Sequence, residues 1–359
     1  MVHKPEKEAL VTKRSIEVLK DCCRANGAII AANPENPSYP KDVQPYNYVW
    51  PRDAAYICLA LTSINEFELQ LKYFDWLKER AEGIEKGLIH QNYYQNGRKR
   101  WLGFQPDQAG ITLIAIADLM KKGKADAKTI KLAEQIADAI AELWQRDHFK
   151  FITQDLWEEF YCYPEMKQCF TYSAAIVGAG LRDIGPLIKK DYRKIYSQMF
   201  ELVKSAYQKE EKLFLKRTGL NTQKRVDASI LGIVWPANIG VSMDFLDKIA
   251  ERLKHEKGIM RYEYDDYDGF RHEGNDARRG AGAWPILTFW LSIAYKKAGN
   301  DKKARAYYDL ALNCADENGY LPEQSFSNNI QSSVKPLAWS HAMQILAKDI
   351  LNEKSKQCY

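Results

Sequence analysis

Residues 125–137 read ADAKTIKLAEQIA and residues 170–180 read FTYSAAIVGAG, and the two stretches have opposite helical characters. In the first, apolar residues recur every three or four positions between lysines and acidic residues, which is typical of a helix with one face in water. In the second, small and apolar residues surround the helix, which indicates burial on most sides. The chain repeats this contrast along its length, and the repeat decides the predicted fold.

Helical periodicity divides the chain into twelve segments. They cover residues 5–25, 53–66, 69–81, 106–122, 126–147, 169–184, 188–208, 227–235, 240–255, 280–299, 301–316 and 336–352. The odd-numbered segments carry many lysines and glutamates, whereas the even-numbered ones are rich in alanine, glycine, serine and isoleucine. Six helices with one solvent-exposed face alternate with six that are apolar on most sides. This alternation predicts two concentric rings, an all-α (α/α)6 toroid with the apolar helices inside.

In such a ring the inner helices run in one direction, so their N-terminal ends and preceding loops lie on one face. Polar motifs collect at those ends, at residues 52–53, 105–108, 169–171 and 226–229. Helix N-termini also present unpaired N–H groups to polar ligands. Residues 88–104, which contain Asn96-Gly97, predict a loop hairpin on the same face. We therefore expect the functional site there.

Composition limits the classes of function. The 359 residues are 46% hydrophobic and 28% charged, which suits a large core, and no Pro/Gly/Ser-rich linker marks a boundary. One domain over residues 1–359 is therefore expected. The net charge of +5 is small and dispersed, so a nucleic-acid surface is not indicated. The first residues lack a secretory apolar region and no run of about 18 apolar residues occurs, so a soluble cytoplasmic protein without membrane attachment is expected.

Several kinds of site are disfavoured by spacing. The seven cysteines are odd in number and contain no CxxC pair, which argues against a disulfide framework and a zinc site. The six histidines show no HExxH or HxH spacing, so a metal hydrolase is not expected. A GxSxG elbow, a Walker loop and a GxGxxG motif are also missing, which removes serine hydrolase and nucleotide-binding chemistry.

Two carboxylate motifs lie far apart, DLWEE at residues 155–159 and LPEQ at residues 321–324. If the fold brings Glu158 and Glu323 to opposite sides of one pocket, they form the acid and base that glycosidic bond hydrolysis requires. An indole at Trp157 and a second carboxylate next to Glu158 would both favour its protonated form. Taken alone, however, a Glu-Glu pair is more often solvated surface, and Glu323 is an ordinary loop residue.

Two aromatic segments also have two interpretations each. Residues 46–53, YNYVWPRD, predict either a sugar subsite, with stacking rings and an Arg-Asp pair on hydroxyls, or a helix N-cap preceded by core aromatics. Residues 261–267, RYEYDDY, could bind a polyhydroxyl ligand or, less favourably, a hard cation such as calcium, since the spacing of a calcium loop is lacking.

Taken in order, these motifs resemble the inverting glucoamylase family of glycoside hydrolases, family 15, which includes glucoamylases, glucodextranases and some microbial trehalases. The resemblance covers almost the whole chain. It is carried by residues 50–53, 101 with 105–107, 155–159 with 170–171, 227–229, 258–262, 282–284, 321–324 and 336–342.

The resemblance implies an (α/α)6 barrel that releases β-glucose from the non-reducing ends of α-linked gluco-oligosaccharides. It implies that Glu158 is the general acid and Glu323 the general base, with the carboxyls about 6.5–9.5 Å apart as inversion requires. No cofactor or metal is needed. The implied substrate-binding residues are Tyr48, Trp50, Arg52, Asp53, Trp101, Gln105, Trp157, Glu159, Arg261 and Trp284.

Departures from the family pattern shape the expected substrate. Without an N-terminal β-sandwich or a starch-binding domain, short intracellular oligosaccharides are expected rather than raw starch. The charged segment 268–280 is longer than the family's usual approach to Trp284 and could reshape the outer subsites. A trehalase of the same family is the nearer alternative, and a non-catalytic carbohydrate-sensing module is the more distant one.

Overall fold

The structure, a computed structural model, describes residues 4–222, 224–269, 280–328 and 331–353. Twelve α-helices lie within these residues, as the periodicity predicts. They are α1 (Lys4–Cys22), α2 (Pro51–Ser63), α3 (Phe67–Arg80), α4 (Pro106–Lys121), α5 (Ala127–Glu142), α6 (Thr171–Ile184), α7 (Arg193–Ser205), α8 (Leu231–Val234), α9 (Met243–Arg252), α10 (Pro285–Lys297), α11 (Asp301–Leu312) and α12 (Ala338–Asn352).

The even-numbered helices form a closed inner ring. Each contacts the next in chain order, and α12 contacts α2 to complete the circle. The odd-numbered helices pack outside it, for example α5 against α4 and α6, and α11 against α10 and α12. The predicted all-α (α/α)6 toroid is therefore confirmed, with the apolar helices inside.

The small residues of the inner helices allow close packing. A side chain on Gly110 of α4 would lie 2.7 Å from the backbone of Ile176 in α6, and one on Gly180 would lie 2.6 Å from the carbonyl oxygen of Gly110. Even an alanine at either position would force the two helices apart. The outer helix α5, by contrast, buries a single stripe at Thr129, Leu132, Ala133, Ile136, Ala137, Ile140 and Ala141.

The eighth helix is much shorter than the predicted span of 227–235. A 3-10 turn over Ala228–Ile230, capped by Asp227, precedes the single turn of α8. The helix ends because Trp235, which precedes Pro236, adopts an extended conformation, as residues before proline prefer. The ninth helix is also shorter than predicted, since Ser242 caps its start and residues 254–255 form a strand.

In the part of the chain that the structure describes, ten short strands form five two-stranded antiparallel pairs in the loops. The pairs are β1 (His90–Tyr93) with β2 (Lys99–Phe104), β3 (Thr153–Gln154) with β4 (Tyr161–Cys162), β5 (Cys169–Phe170) with β8 (Arg217–Thr218), β6 (Tyr207–Gln208) with β7 (Leu213–Phe214), and β9 (Lys254–His255) with β10 (Gly258–Ile259). The predicted hairpin over 88–104 is β1–β2, whose turn closes with a 2.9 Å hydrogen bond from the Gly97 N–H to the Tyr94 carbonyl.

The loops before the inner helices are fixed on one face. Trp50, Gln105, Phe170, Trp284 and Leu337 all precede inner helices in extended conformations. Proline occupies the first helical turn of α2, α4 and α10, where a missing N–H costs nothing. This arrangement delivers the polar motifs to a common surface.

Two further observations concern the whole chain. Across the described ranges, none of the helices has the length and apolar character needed to cross a membrane. The segment 268–280, which we expected to reshape the outer subsites, falls outside the described residues from 270 to 279.

Candidate active site

A pocket of about 790 Å³ opens beside the N-terminal ends of α2, α10 and α12. This size is typical of a small-molecule site. Eleven of the twelve predicted site residues line it, Gln105 being the exception. They are Tyr48, Trp50, Arg52, Asp53, Trp101, Trp157, Glu158, Glu159, Arg261, Trp284 and Glu323.

Glu158 sits in a tight loop with both carboxylate oxygens bound. Its Oε1 accepts hydrogen bonds from the Trp50 indole at 2.8 Å and from Arg52 Nη2 at 3.3 Å, and its Oε2 accepts one from Gln91 Nε2 at 2.6 Å. The backbone φ of Glu158 is +66°, a conformation that is costly for a residue with a side chain. The loop therefore presents this carboxyl to the pocket at some expense in backbone energy.

The surroundings of Glu158 differ from the sequence-based expectation. The Trp157 indole donates to Asp227 at 2.9 Å, so the indole that contacts Glu158 is that of Trp50. Glu159 turns away to Arg261, because successive side chains in this turn diverge. Burial raises the pKa of Glu158, Arg52 opposes the rise, and the acidic neighbour that adds to it is Asp155.

Glu323 lies in the loop between α11 and α12. Its N–H donates to the Val334 carbonyl at 2.8 Å, and the neighbouring Leu321 N–H donates to Nε2 of the buried His341 at 3.0 Å. Burial raises the pKa of Glu323 to about 7, against the opposing influence of Arg261 and of a hydrogen bond from Tyr46. Its Oε2 accepts no hydrogen bond from the residues that the structure describes.

Polar residues at the start of α4 hold Arg52 in place. Its Nη1 donates to Gln105 Oε1 and to Asp107 Oδ2, each at 3.2 Å. Gln105 is fully buried and also donates to the Asp155 carbonyl at 2.5 Å, so it supports Arg52 and the Glu158 loop from behind the pocket wall. Asp53 faces the pocket, and burial raises the pKa of its carboxyl to about 7.

Arg261 forms the opposite wall. Both oxygens of Asp265 accept from it, at 2.8 and 2.7 Å, and Glu159 Oε1 accepts at 2.8 Å. Rings stack around its guanidinium, those of Trp157, Tyr262, Tyr267 and Trp284. Because Asp265 neutralises the arginine, this cluster fits the polyhydroxyl-ligand interpretation better than a calcium site.

The family model for glycosyl hydrolases family 15 matches residues 11–348. The chain belongs to glycosyl hydrolase family 15. The matched residues include every site residue described above.

The curated relatives of this family 15 member carry different names. The chain is 28% identical over 366 residues to an uncharacterized glycosyl hydrolase of Methanocaldococcus jannaschii. This match covers 94% of this chain and 55% of that protein. It is 23% identical over 348 residues to a glucoamylase of a Clostridium species, and this match covers 84% of this chain and 46% of the glucoamylase. It is also 23% identical over 353 residues to a trehalase of Thermoplasma volcanium, and this match covers 87% of this chain and 53% of the trehalase. The chain thus spans about half the length of these relatives.

Solved structures share the fold of this family 15 glycosidase. A glycosidase variant in complex with glucose superposes with a TM-score of 0.78 at 18% identity, covering 98% of both chains. A bacterial glucoamylase complexed with acarbose gives a TM-score of 0.68 at 21% identity, covering 95% of this chain and 55% of the other. At these identities the likeness supports the (α/α)6 fold alone.

Three residues that organise the site were not among the predicted site residues, although Tyr46 lies in the segment 46–53 that predicted either a sugar subsite or a helix N-cap. Gln91 on β1 binds Glu158, and the Tyr46 hydroxyl binds Glu323. Lys216 is buried and forms ion pairs with Asp155 at 2.7 Å and Asp227 at 2.8 Å. The only sequence signal for Lys216 is that it follows the apolar run Leu213-Phe214-Leu215, beside Arg217, and this pattern is too common to single out.

Proposed function

We propose that this family 15 glycosidase is an inverting, exo-acting α-glucosidase that releases β-glucose from the non-reducing ends of α-linked gluco-oligosaccharides. The observation that supports this best is that Glu158 and Glu323, carried by separate loops, face one pocket and both have raised pKa values. Glycosidic hydrolysis needs one carboxyl that holds a proton and one that accepts a proton.

Glu158 would be the general acid. It donates its proton to the glycosidic oxygen as the bond from that oxygen to the anomeric carbon breaks. Burial raises the pKa of Glu158 and so favours its protonated form, and the donors from Trp50, Gln91 and Arg52 stabilise the carboxylate left behind. The same contacts therefore assist the proton transfer as it proceeds.

Glu323 would be the general base. It takes one proton from a water molecule whose oxygen bonds to the anomeric carbon from the face opposite the leaving group, and this single displacement inverts the configuration. The raised pKa makes Glu323 a better proton acceptor than an ordinary carboxylate. Tyr46 stabilises the carboxylate, and Oε2 accepts no hydrogen bond from the described residues, so Oε2 suits contact with that water.

The remaining pocket residues would bind the terminal glucose. Arg52 and Asp53 at the start of α2 offer a donor and an acceptor for hydroxyl groups, and Glu159 with Arg261 offers a second pair. The rings of Trp157, Trp284 and Trp339 provide apolar surface for the C–H faces of the sugar. Gln105 acts on the substrate only indirectly, through Arg52 and the Glu158 loop, since it lies behind the wall.

The proposal extends to substrate size and domain organisation. Short oligosaccharides are the proposed substrates, because a pocket of about 790 Å³ accommodates a few sugar residues. We propose a single catalytic domain for residues 1–359, which the contact between α12 and α2 supports by closing the ring.

Trehalose is the second candidate substrate. The trehalase of Thermoplasma volcanium and the glucoamylase of the Clostridium species are equally similar to this chain, at 23% identity. The same acid and base would cleave an α,α-1,1 bond, so the two activities differ only in how the leaving glucose is bound.

A proton NMR time course with maltotriose, isomaltose and trehalose tests the proposal. The anomeric signals must be followed before mutarotation, with the Glu158→Gln, Glu323→Gln double variant as the blank. Early β-glucose from maltotriose, or β-glucose and α-glucose in equal amounts from trehalose, supports the inverting mechanism, and the sugar that is consumed identifies the preferred linkage. Inversion is contradicted by early α-glucose from maltotriose, or by α-glucose without β-glucose from trehalose, whose leaving glucose is itself the α-anomer. No glucose from any sugar favours the non-catalytic sensing module.

A further inference from the structure

Arg100 of β2 lies at the mouth of the pocket between two aromatic rings. Its guanidinium carbon is 4.1 Å from the ring centroid of Tyr48 and 4.1 Å from that of Trp101. A guanidinium that stacks on aromatic rings is held by cation–π attraction, while the N–H donors at its edge can still bind an acceptor. The arginine is thus held by its neighbours.

Arg100 differs from the two other arginines of the pocket. Arg52 is paired with Asp107 and Glu158, and Arg261 is paired with Asp265 and Glu159. Among the residues described, by contrast, Arg100 has no ion-pair partner and no hydrogen-bond acceptor for its side chain. Its donors are therefore available to a ligand.

The position of Arg100 relative to the proposed acid is defined by Trp50. The Trp50 indole donates to Glu158, and the same ring packs edge-on against Trp101 at 6.2 Å and against Tyr48 at 6.3 Å. Arg100 therefore lies on the Glu158 side of the pocket. A general acid protonates the leaving-group oxygen, so the leaving sugar must occupy this side.

We propose that Arg100 is a specificity-determining residue that binds the leaving sugar by hydrogen bonds from its N–H edge to neighbouring hydroxyl groups. The inference rests on the proposed function, with Glu158 as the acid. Sequence reasoning expected Tyr48 and Trp101 to stack on sugar rings, but each gives a face to Arg100. Recognition of the leaving group thus depends on directional donors, which select for a hydroxylated sugar over an aglycone without hydroxyls.

A pair of substrates with the same glucosyl group but different leaving groups tests this role. The first is the oligosaccharide that the wild-type enzyme cleaves best, and the second is α-glucosyl fluoride, whose leaving group offers no hydroxyl. Arg100→Met keeps an unbranched side chain against the rings but removes every donor. We expect kcat/KM for the oligosaccharide to fall about 10- to 100-fold, while that for the fluoride stays within about twofold of wild type.

Two further variants sharpen the test. Arg100→Lys retains the charge without the planar fork and should fall between wild type and Arg100→Met on the oligosaccharide. Arg98→Met, on the exposed turn of the same hairpin, should leave both substrates unaffected. Circular dichroism melts verify that each variant is folded.

The possible outcomes separate the alternatives. Equal losses on both substrates would show that Arg100 merely braces Trp101 and the acid, and no loss on either would show that it does not touch the leaving sugar; both results overturn the proposal. If the wild-type enzyme hydrolyses neither substrate, the proposed function itself fails, and this result does not depend on Arg100.

Discussion

Trp50 donates its indole N–H to Oε1 of Glu158 over 2.8 Å, and Trp50 is also the residue that immediately precedes the first inner helix. One side chain thus joins the ring of helices to the carboxyl proposed as the acid. Because the bond stabilises the ionised carboxyl, it lowers the pKa of Glu158 against the effect of burial.

Replacing this donor should change both the rate and its pH dependence. In Trp50→Phe the Glu158 carboxylate loses one charge-assisted hydrogen bond, so we expect kcat to fall about 10-fold. The pKa of Glu158 should rise, which moves the basic limb of the kcat/KM profile to higher pH. Trp290→Phe is the matched control, since the Trp290 indole lies outside the pocket and has no hydrogen-bond partner within the described chain. An unshifted basic limb would contradict the assignment.

The two carboxyls should be distinguishable by their dependence on the leaving group. Glu158→Gln and Glu323→Gln should each reduce kcat on an oligosaccharide by about 10²- to 10⁴-fold. On α-glucosyl fluoride, Glu158→Gln should retain most activity because fluoride leaves without a proton, whereas Glu323→Gln should remain impaired. Steady-state rates on both substrates decide the matter, with the exposed Glu165→Gln as the control. If Glu323→Gln retained activity on the fluoride and Glu158→Gln did not, Glu323 would be the acid and Glu158 the base.

Activity should decline on the acid side of neutrality. Catalysis requires an ionised Glu323, and burial, to which the charge of Asp53 adds, raises the pKa of Glu323 to about 7. As the pH falls through that value Glu323 gains a proton, so the acid limb of kcat/KM is expected near pH 7. In Asp53→Asn one of the raising charges is gone, so the limb should move to lower pH even though substrate binding weakens. If the acid limb stays at the same pH in Asp53→Asn, a group other than Glu323 governs it.

Lys216 should matter for stability as well as for catalysis. In Lys216→Met the carboxylates of Asp155 and Asp227 lose their buried cation, which costs about 3–5 kcal/mol in the free energy of unfolding. Since Asp155 also accepts the N–H groups of Glu159 and Phe160, the acid loop should loosen and kcat should fall. Urea unfolding measures the first effect. Lys212→Met, which breaks an exposed pair with Asp244, should cost less than about 1 kcal/mol.

Acid should also weaken the fold through His341. Burial lowers the pKa of this histidine to about 3, so the folded protein keeps it neutral, whereas the unfolded chain binds a proton below about pH 6.5. Stability is therefore fully present above the unfolded value and is lost as the pH falls, by about 2 kcal/mol at pH 5. Unfolding free energies at pH 7 and pH 5 test this. The difference should shrink in His341→Gln, whose amide can replace the acceptor for the Leu321 N–H.

The helical architecture was predictable because it depends on local pattern. Segments such as α4 and α5 reveal their burial in their own composition, and alternation along the chain implies two rings. The short α8 departs from the pattern because Asp227 caps a 3-10 turn and Trp235 precedes a proline, and these local effects outweigh an apolar run. Periodicity does not report such interruptions.

The site was predictable in its residue types and less so in their contacts. Glu158 and Glu323 stand out by motif, but the partners of Glu158 come from α2 and β1, which are distant in sequence. The buried position of Gln105 and the direction of the Trp157 indole depend on packing between loops. Spacing along one chain carries no information about those directions.

The two strands of the hairpin β1–β2 differ in burial and in role. β1 is largely buried and supplies Gln91 to Glu158, whereas no residue of β2 is fully buried, including Arg100. Substitutions in the outer strand can therefore accumulate at little cost in stability, while those in the inner strand are constrained by the chemistry. For laboratory evolution this makes residues 99–102 a compact library site, where new leaving-group preferences can be selected without rebuilding the catalytic carboxyls.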